Sequence, residues 1–522
     1  MTCLFLWPAY IFRNRLRVSI DRKLQRHFTL SFLYMYDTIV IGDDLSSLVA
    51  AAVISHHGKK TALLSESDAK HVYSDFGYTF NIDPLPLTGF GPAQTCSRLL
   101  EDLGIPVAEY RGLQLLNPGL QIILSDHRVD CFHRREELLN DMEREFSDHA
   151  DEIRKLYSSV LKISNLVEQR ITEKPHIYPT NFNEFLSLLK GIPVILKERY
   201  SLSKRFKSIA KNPSLTRVFE AESAILSNAS NKGNSPFTIS SAYALSLPLR
   251  GLYHHVGGNE VLMGLLKSAF EASGGHLIKN CSVMRINVGK EIDVDVSIPE
   301  TLSQIRGRFL IASTKWEKLR LLLLSGRKFR RMERRLKLVK PAYYPFTLHM
   351  GILERCIPEK MATYVAIVID QNRPVMDDNL VFVEISASEC KERAPAGKRA
   401  LSATIFLKES PLVLTNDELK EVSQVVFCAL EKFLPFLREN LDFLDIGTSI
   451  DLSRKCQELV NQKYTMRSDS FFGISGISNK TPIRNVFMTG GMLRPCLGFE
   501  GEIISGLNAA NLVIAKERDR HG

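Results

Sequence analysis

The first sharp pattern along the chain is an unbroken apolar run, "YDTIVIG", Tyr36 to Gly42. It is too short for a helix and ends in a turn residue, so it predicts a buried strand. "LSSLVAAAVISHHG" follows, rich in small residues and closed by Gly58, and predicts a helix. His56 and His57, just before that glycine, suit a helix C-terminus. "TALLSE" then reads as a second parallel strand, completing a right-handed βαβ unit. Helical periodicity dominates "PAQTCSRLLEDLGI" and the long charged stretch "REELLNDMEREFSDHADEIRKLYSSVLKISNLVEQRI". Strand-like segments crowd the second half: "HLIKNCSVMRINV", "EIDVDVSI", "RFLIAS", "YPFTLHMGIL", "ATYVAIVID", "NLVFVEIS" and "ALSATIFL". A further helix, "NDELKEVSQVVFCALEKFLPFL", comes after them. This order predicts an α/β protein, with a parallel nucleotide-binding core interrupted by an antiparallel second domain.

Length supports that division, because 522 residues exceed one ordinary core and imply two or three domains. Apolar residues at 44% and charged residues at 24% place the chain among globular proteins rather than disordered or membrane-spanning ones. The nine cysteines are scattered without a CxxC pair, which argues for reduced thiols and against a disulfide framework or a zinc site. Residues 1–34 stand apart. "MTCLFLWPAYIF" falls short of the roughly 20 apolar residues a membrane span needs, and the basic run after it reverses the order of a secretory signal. The plain expectation is an over-extended start with the fold beginning at Met35; an amphipathic membrane anchor is the alternative.

A net charge of +10 points to an anionic partner: nucleic acid, a membrane surface or a phosphate-bearing ligand. Two basic runs carry much of it, "KGIPVILKERYSLSKRFKSIAK" (190–211) and "RKFRRMERRLKLVK" (327–340). Such runs are ordinarily solvated helix faces. The competing reading is a surface that docks on anionic lipid. Nucleic acid is not expected, since basic and aromatic residues are not interleaved and no binding module stands out.

The chemistry concentrates in two turns. In a dinucleotide fingerprint G-x-G-x-x-G, the glycines make the tight turn, admit the pyrophosphate and let helix pack on strand. Here those positions hold Gly42, Asp44 and Ser47. Ser47 is small enough to pack, whereas the Asp44 carboxylate faces a site built for anions. The acid that would hold the ribose falls at Ser65 or, displaced by one residue, Glu66. The second turn lies in "NVFMTGGMLRPCLGFEGEIISGLNAANLVIAKE", where a strand meets a glycine-rich loop and then a helix opening near Gly501. A helix N-terminus there presents free N–H groups to an anionic group such as a reduced flavin.

Several separated blocks, in order from Tyr36 to the C-terminus, resemble the flavoprotein family of phytoene desaturases, carotenoid isomerases and retinol saturases. "GYTFNIDPLPLTGFG" is similar to the family's aromatic-rich strand and "GP-x-x-x-TG" turn, with Asp83-Pro84 in place of Gly-Pro. "GLYHHVGGNEVLMGLLKSAFEASGGHLIKNCSVMRINV" resembles its "YPxGGMxxLxxAL" block, and "GRFLIASTKWEKLRLLL" the strand that follows. "MTGGMLRPCLGFEGEIISG" is similar to "VGAxTxPGxGxPGxxxSG". The resemblance implies a Rossmann-like FAD-binding domain, discontinuous over 35–110, 246–322 and 461–522. It also implies a helical, membrane-facing region at 111–245 and an α+β substrate domain at 323–460. It implies FAD as cofactor, contacted at Gly42, Asp44, Ser47, Glu66, Val283 (backbone), Gly491, Gly501, Glu502 and Ile503. His254 and His255 would line the flavin end or serve structure; no catalytic residue is assigned.

The implied activity is oxidation or reduction at CH–CH bonds of a long apolar isoprenoid, by a cytoplasmic protein peripheral on the membrane. The departures are local. Besides Asp44 and Ser47, the family's "GGR" loop has no counterpart in "SESDAKHVYSDFGY", and Cys496 and Leu497 stand where glycine is usual. A second reading follows from them: a non-catalytic relative without FAD that binds lipid or a protein partner.

Overall fold

The computed structural model describes residues 35–66, 71–105, 110–173, 197–198, 200–230, 239–298, 301–313, 315–323, 330–337, 339–376, 378–388, 390–466 and 477–521. The expectations for residues 1–34, 190–196 and 327–329, and for the loop residues 67–70, lie outside them.

The apolar run becomes the strand Met35–Ile41, paired in parallel with Thr61–Leu64 on one side and Thr301–Ala312 on the other. His276–Ile278 extends the sheet beyond Thr61–Leu64, and Val486–Met488 pairs with the far end of Thr301–Ala312. Chain segments more than two hundred residues apart thus share one parallel core. The hairpin of Ser282–Val288 and Ile292–Ile298 completes the sheet in antiparallel fashion. "HLIKNCSVMRINV" divides into two strands because Asn280 takes a left-handed conformation (φ +53°), a turn that a short polar side chain tolerates.

The helix Leu45–His56 lies against this sheet with every residue from Leu45 to Ser55 buried. A helix apolar all round needs cover all round. The helices Glu260–Ala272 and Gly498–His521 supply it. Gly506 permits the closest approach, since a Cβ there would overlap the Ser46 carbonyl oxygen.

A second sheet of nine strands is mainly antiparallel and centred on the long strands Val339–Leu353 and Lys398–Leu407. The helix Asn416–Glu431 covers it, opened by a capping box in which Thr415 and Glu418 satisfy each other's backbone N–H groups. The charged helical stretch breaks into Arg135–Glu145 and Ala150–Glu173. Phe146 leaves helical geometry at the break and buries its ring in the core. In the basic stretch after residue 197, Leu202, Phe206 and Ile209 are buried, whereas Lys204, Lys207 and Lys211 are exposed. That is the pattern of a helix with a solvated face. Among the described residues no helix is long and apolar enough to cross a membrane.

Candidate functional site

The site assembles where the first strand gives way to the first helix. Gly42 has φ +147° and packs so tightly that a Cβ would collide with the Ser313 hydroxyl. The first glycine of the fingerprint therefore keeps its structural task. Ser47 is fully buried, 3.1 Å from where that Cβ would lie, and fulfils the packing role expected of a small residue.

Asp44 does something different. It is the N-cap of the helix, and its Oδ1 accepts the backbone N–H of Ser47 at 3.0 Å. Its Oδ2 accepts the Ser46 hydroxyl at 2.9 Å. One of the N–H groups at this helix end, and the favourable side of the helix dipole, are thus already occupied by a carboxylate of the chain itself.

The same substitution of partners recurs around the cleft. Glu66 accepts from the Val283 N–H at 3.3 Å and from Lys318 Nζ at 2.8 Å, so the expected ribose acid and the expected adenine-side backbone engage each other. The C-terminal helix opens at Gly498, three residues before the expected start, which puts Glu500 in its first turn. Glu500 is fully buried, accepts the Tyr243 hydroxyl at 3.4 Å and lies 3.8 Å from Arg250. Its carboxylate faces Gly89, Tyr243 and Arg250, and the acid of this turn that lines the cleft is Glu502.

Gly42, Asp44, Glu66, Gly491 and Glu502 line one cleft of about 490 Å3, together with Lys315, Lys318, Arg454 and Lys455. Arg454 is committed to the carbonyls of Pro411 and Leu414 and to Asn416. Burial, reinforced by Asp44 and Asp83, pushes the Glu502 carboxyl up to about 8. Asp83, the residue replacing a family glycine, accepts both the backbone and the side-chain N–H groups of Asn461, and burial raises its carboxyl. Nearby, the buried Lys463 donates to the Ser227 carbonyl at 2.8 Å, and burial lowers its ammonium to about 7. Ser47 lines an adjoining hollow with His71 and Lys267. Val283 reaches the cleft through Glu66. Gly501 packs against the Arg494 carbonyl, and the Ile503 side chain lies in the core.

The two histidines hold other elements together. His255 Nδ1 accepts the Gly257 N–H at 3.0 Å, so its Nε2 donates to the Arg111 carbonyl at 2.6 Å; the ring stacks on Tyr110. His254 is hydrogen-bonded to the Tyr364 hydroxyl at 3.0 Å. Beside it lies a buried network invisible in sequence. Arg393 makes a two-pronged contact with Glu384 at 2.9 and 3.3 Å, and Asn81 donates to Glu384 at 2.7 Å.

No family model matches the chain. It is 21% identical over 512 residues to a lycopene-forming phytoene desaturase from Paracoccus sp., covering 91% of this chain and 97% of that protein. It is also 21% identical to the chloroplastic prolycopene isomerase of Daucus carota over 97% of this chain and 85% of that one. The chain is related to the phytoene desaturase and carotenoid isomerase family. Among solved structures, the cyclohexylamine oxidase of Brevibacterium oxydans shares the fold at TM-score 0.57 and 12% identity, covering 92% and 99% of the two chains. Phytoene desaturase relatives are FAD-dependent oxidoreductases, so the cleft can be tested against that cofactor. A dinucleotide's diphosphate rests on the N–H groups at the first helix N-terminus. Here Asp44 holds one of them, and Lys318 pairs with Glu66. The residues present do not fit a diphosphate at this turn.

Proposed function

We propose that this chain is a flavin-free relative of the carotenoid desaturases and isomerases, acting as a binding protein for an apolar isoprenoid-like lipid or for a protein partner. One observation carries the reading: Asp44 caps the helix that would otherwise receive the diphosphate. A phosphate within about 4 Å of that carboxylate meets a repulsion of roughly 4 kcal/mol per unit charge pair at an effective dielectric of 20. Loss of the cofactor leaves the two-sheet scaffold without its redox agent but with its packing intact.

A second reading has its own support. An FAD-dependent oxidoreductase acting on CH–CH bonds of a long isoprenoid, as desaturase, saturase or isomerase, accords with likeness over most of the chain and with the retained turn at Gly42. Peripheral docking from the cytoplasmic side on an anionic membrane goes with either reading. It is supported by the exposed Tyr200 beside Lys204 and Lys207.

The deciding experiment is a visible absorbance spectrum of the purified full chain, before and after denaturation, and again after incubation with FAD and gel filtration. The expected result is a colourless protein that does not retain added FAD. Flavin bands released on denaturation would overturn this proposal and establish the oxidoreductase.

A further inference from the structure

At the opposite end of the first helix from the glycine turn lies a cavity of about 630 Å3, between the helices Leu45–His56, Thr95–Asp102 and Gly498–His521. Its volume is that of a small-molecule site. Val53, Leu99, Leu103, Ile171, Ile504 and Leu507 form its apolar walls. Set into those walls is Arg98, half-buried and, among the described residues, in no ion pair. Asp102, one turn further along the same helix, also lines the cavity; it is exposed to solvent and makes no ion pair with Arg98. Asn508 also lines the cavity. It is 4% exposed, and its Nδ2 has no hydrogen-bond partner. Such a buried amide costs stability unless something completes it. His56 and His57 stand exposed at the rim.

A guanidinium without a counter-ion and a buried amide without a partner, inside apolar walls, recognise one kind of molecule. We propose that this cavity binds an amphipathic monocarboxylate, its head on Arg98 and Asn508 and its hydrocarbon body along the leucine and isoleucine walls. One guanidinium matches one carboxylate charge through paired N–H donors. A phosphate monoester or a diphosphate would bring more charge than the cavity offsets. The apolar lining asks for a body of several methylenes, each contributing to affinity through burial. The site is separate from the glycine-turn cleft and does not depend on whether flavin is bound there.

The test uses the full chain and two probes, decanoate and decanol, in isothermal titration. Decanoate is expected to bind saturably with unit stoichiometry, and decanol about tenfold to a hundredfold more weakly, the loss expected for one charge-assisted hydrogen-bonded head. Arg98→Gln should bring decanoate down to the level of decanol and leave decanol unchanged, while Arg98→Lys should retain part of the preference. Asn508→Leu, read with its thermal midpoint, should weaken decanoate while raising or holding stability. Equal binding of the two probes by the wild-type chain, no saturable decanoate binding, or an Arg98→Gln variant that binds decanoate like wild type would each overturn the proposal.

Discussion

Replacing Asp44 with asparagine separates charge from shape at the glycine turn. Asparagine caps helices about as well as aspartate, so the Ser47 N–H keeps its acceptor and stability should fall by no more than about 0.3–1 kcal/mol, the lost interaction with the helix dipole. What disappears is the like-charge repulsion against a bound diphosphate. The roughly 4 kcal/mol per charge pair at 4 Å is an upper figure for an open cleft. Solvent and salt reduce it to about 1–3 kcal/mol, which corresponds to roughly a fivefold to 150-fold gain in FAD affinity. Quenching of flavin fluorescence on titration measures this for wild type, Asp44→Asn and Asp44→Gly. The glycine variant should gain at least as much, because it also frees the N–H. The gain should shrink as salt rises. If the wild-type chain already binds FAD tightly, or if neither variant binds better than wild type at any ionic strength, then Asp44 is not the barrier and the electrostatic argument fails.

Three further outcomes follow from the packing. His254 and His349 are buried, and burial pushes each imidazole down from 6.5 to about 4. The native state therefore binds fewer protons than the unfolded one across that window. Stability should be complete above pH 6.5 and fall towards pH 4 by on the order of 3 kcal/mol per histidine, checked by urea midpoints at several pH values. A midpoint indifferent to pH there would contradict the burial. Arg393→Met should cost about 3–5 kcal/mol by stranding the buried Glu384, and adding Glu384→Gln should recover much of it, as read by thermal unfolding. Gly506→Ala should destabilise by about 1–3 kcal/mol, since the methyl meets the Ser46 carbonyl and, at 3.0 Å, Val49. A neutral result would show that the helix contact is looser than it looks.

Much of the architecture was legible along the chain because it rests on local periodicity. The run Tyr36–Gly42, the small-residue helix and "TALLSE" form the expected βαβ unit, since an apolar strand and an apolar helix have few other ways to hide. The Asp44 difficulty was legible too, as a carboxylate in an anion's place. What the carboxylate does there depends on backbone geometry: with Asp44 extended at φ −84° and ψ 168°, the side chain folds onto its own helix. Other contacts of these turns join distant segments. Glu66 meets Lys318 across 252 residues, and Glu500 meets Tyr243 across 257. Nothing in the spacing of either residue signals such a partner.

The same holds for the buried Arg393–Glu384–Asn81 network and for the cavity around Arg98, each built by elements that only packing brings together. Sequence by itself determined the elements, the fold class and the chemical types present at the glycine turn, because these follow from hydrophobic period and residue identity. Tertiary structure alone decided which charges are compensated and which are not. Electrostatic and hydrogen-bond energies depend on distance and burial, and neither is a property of position along a chain.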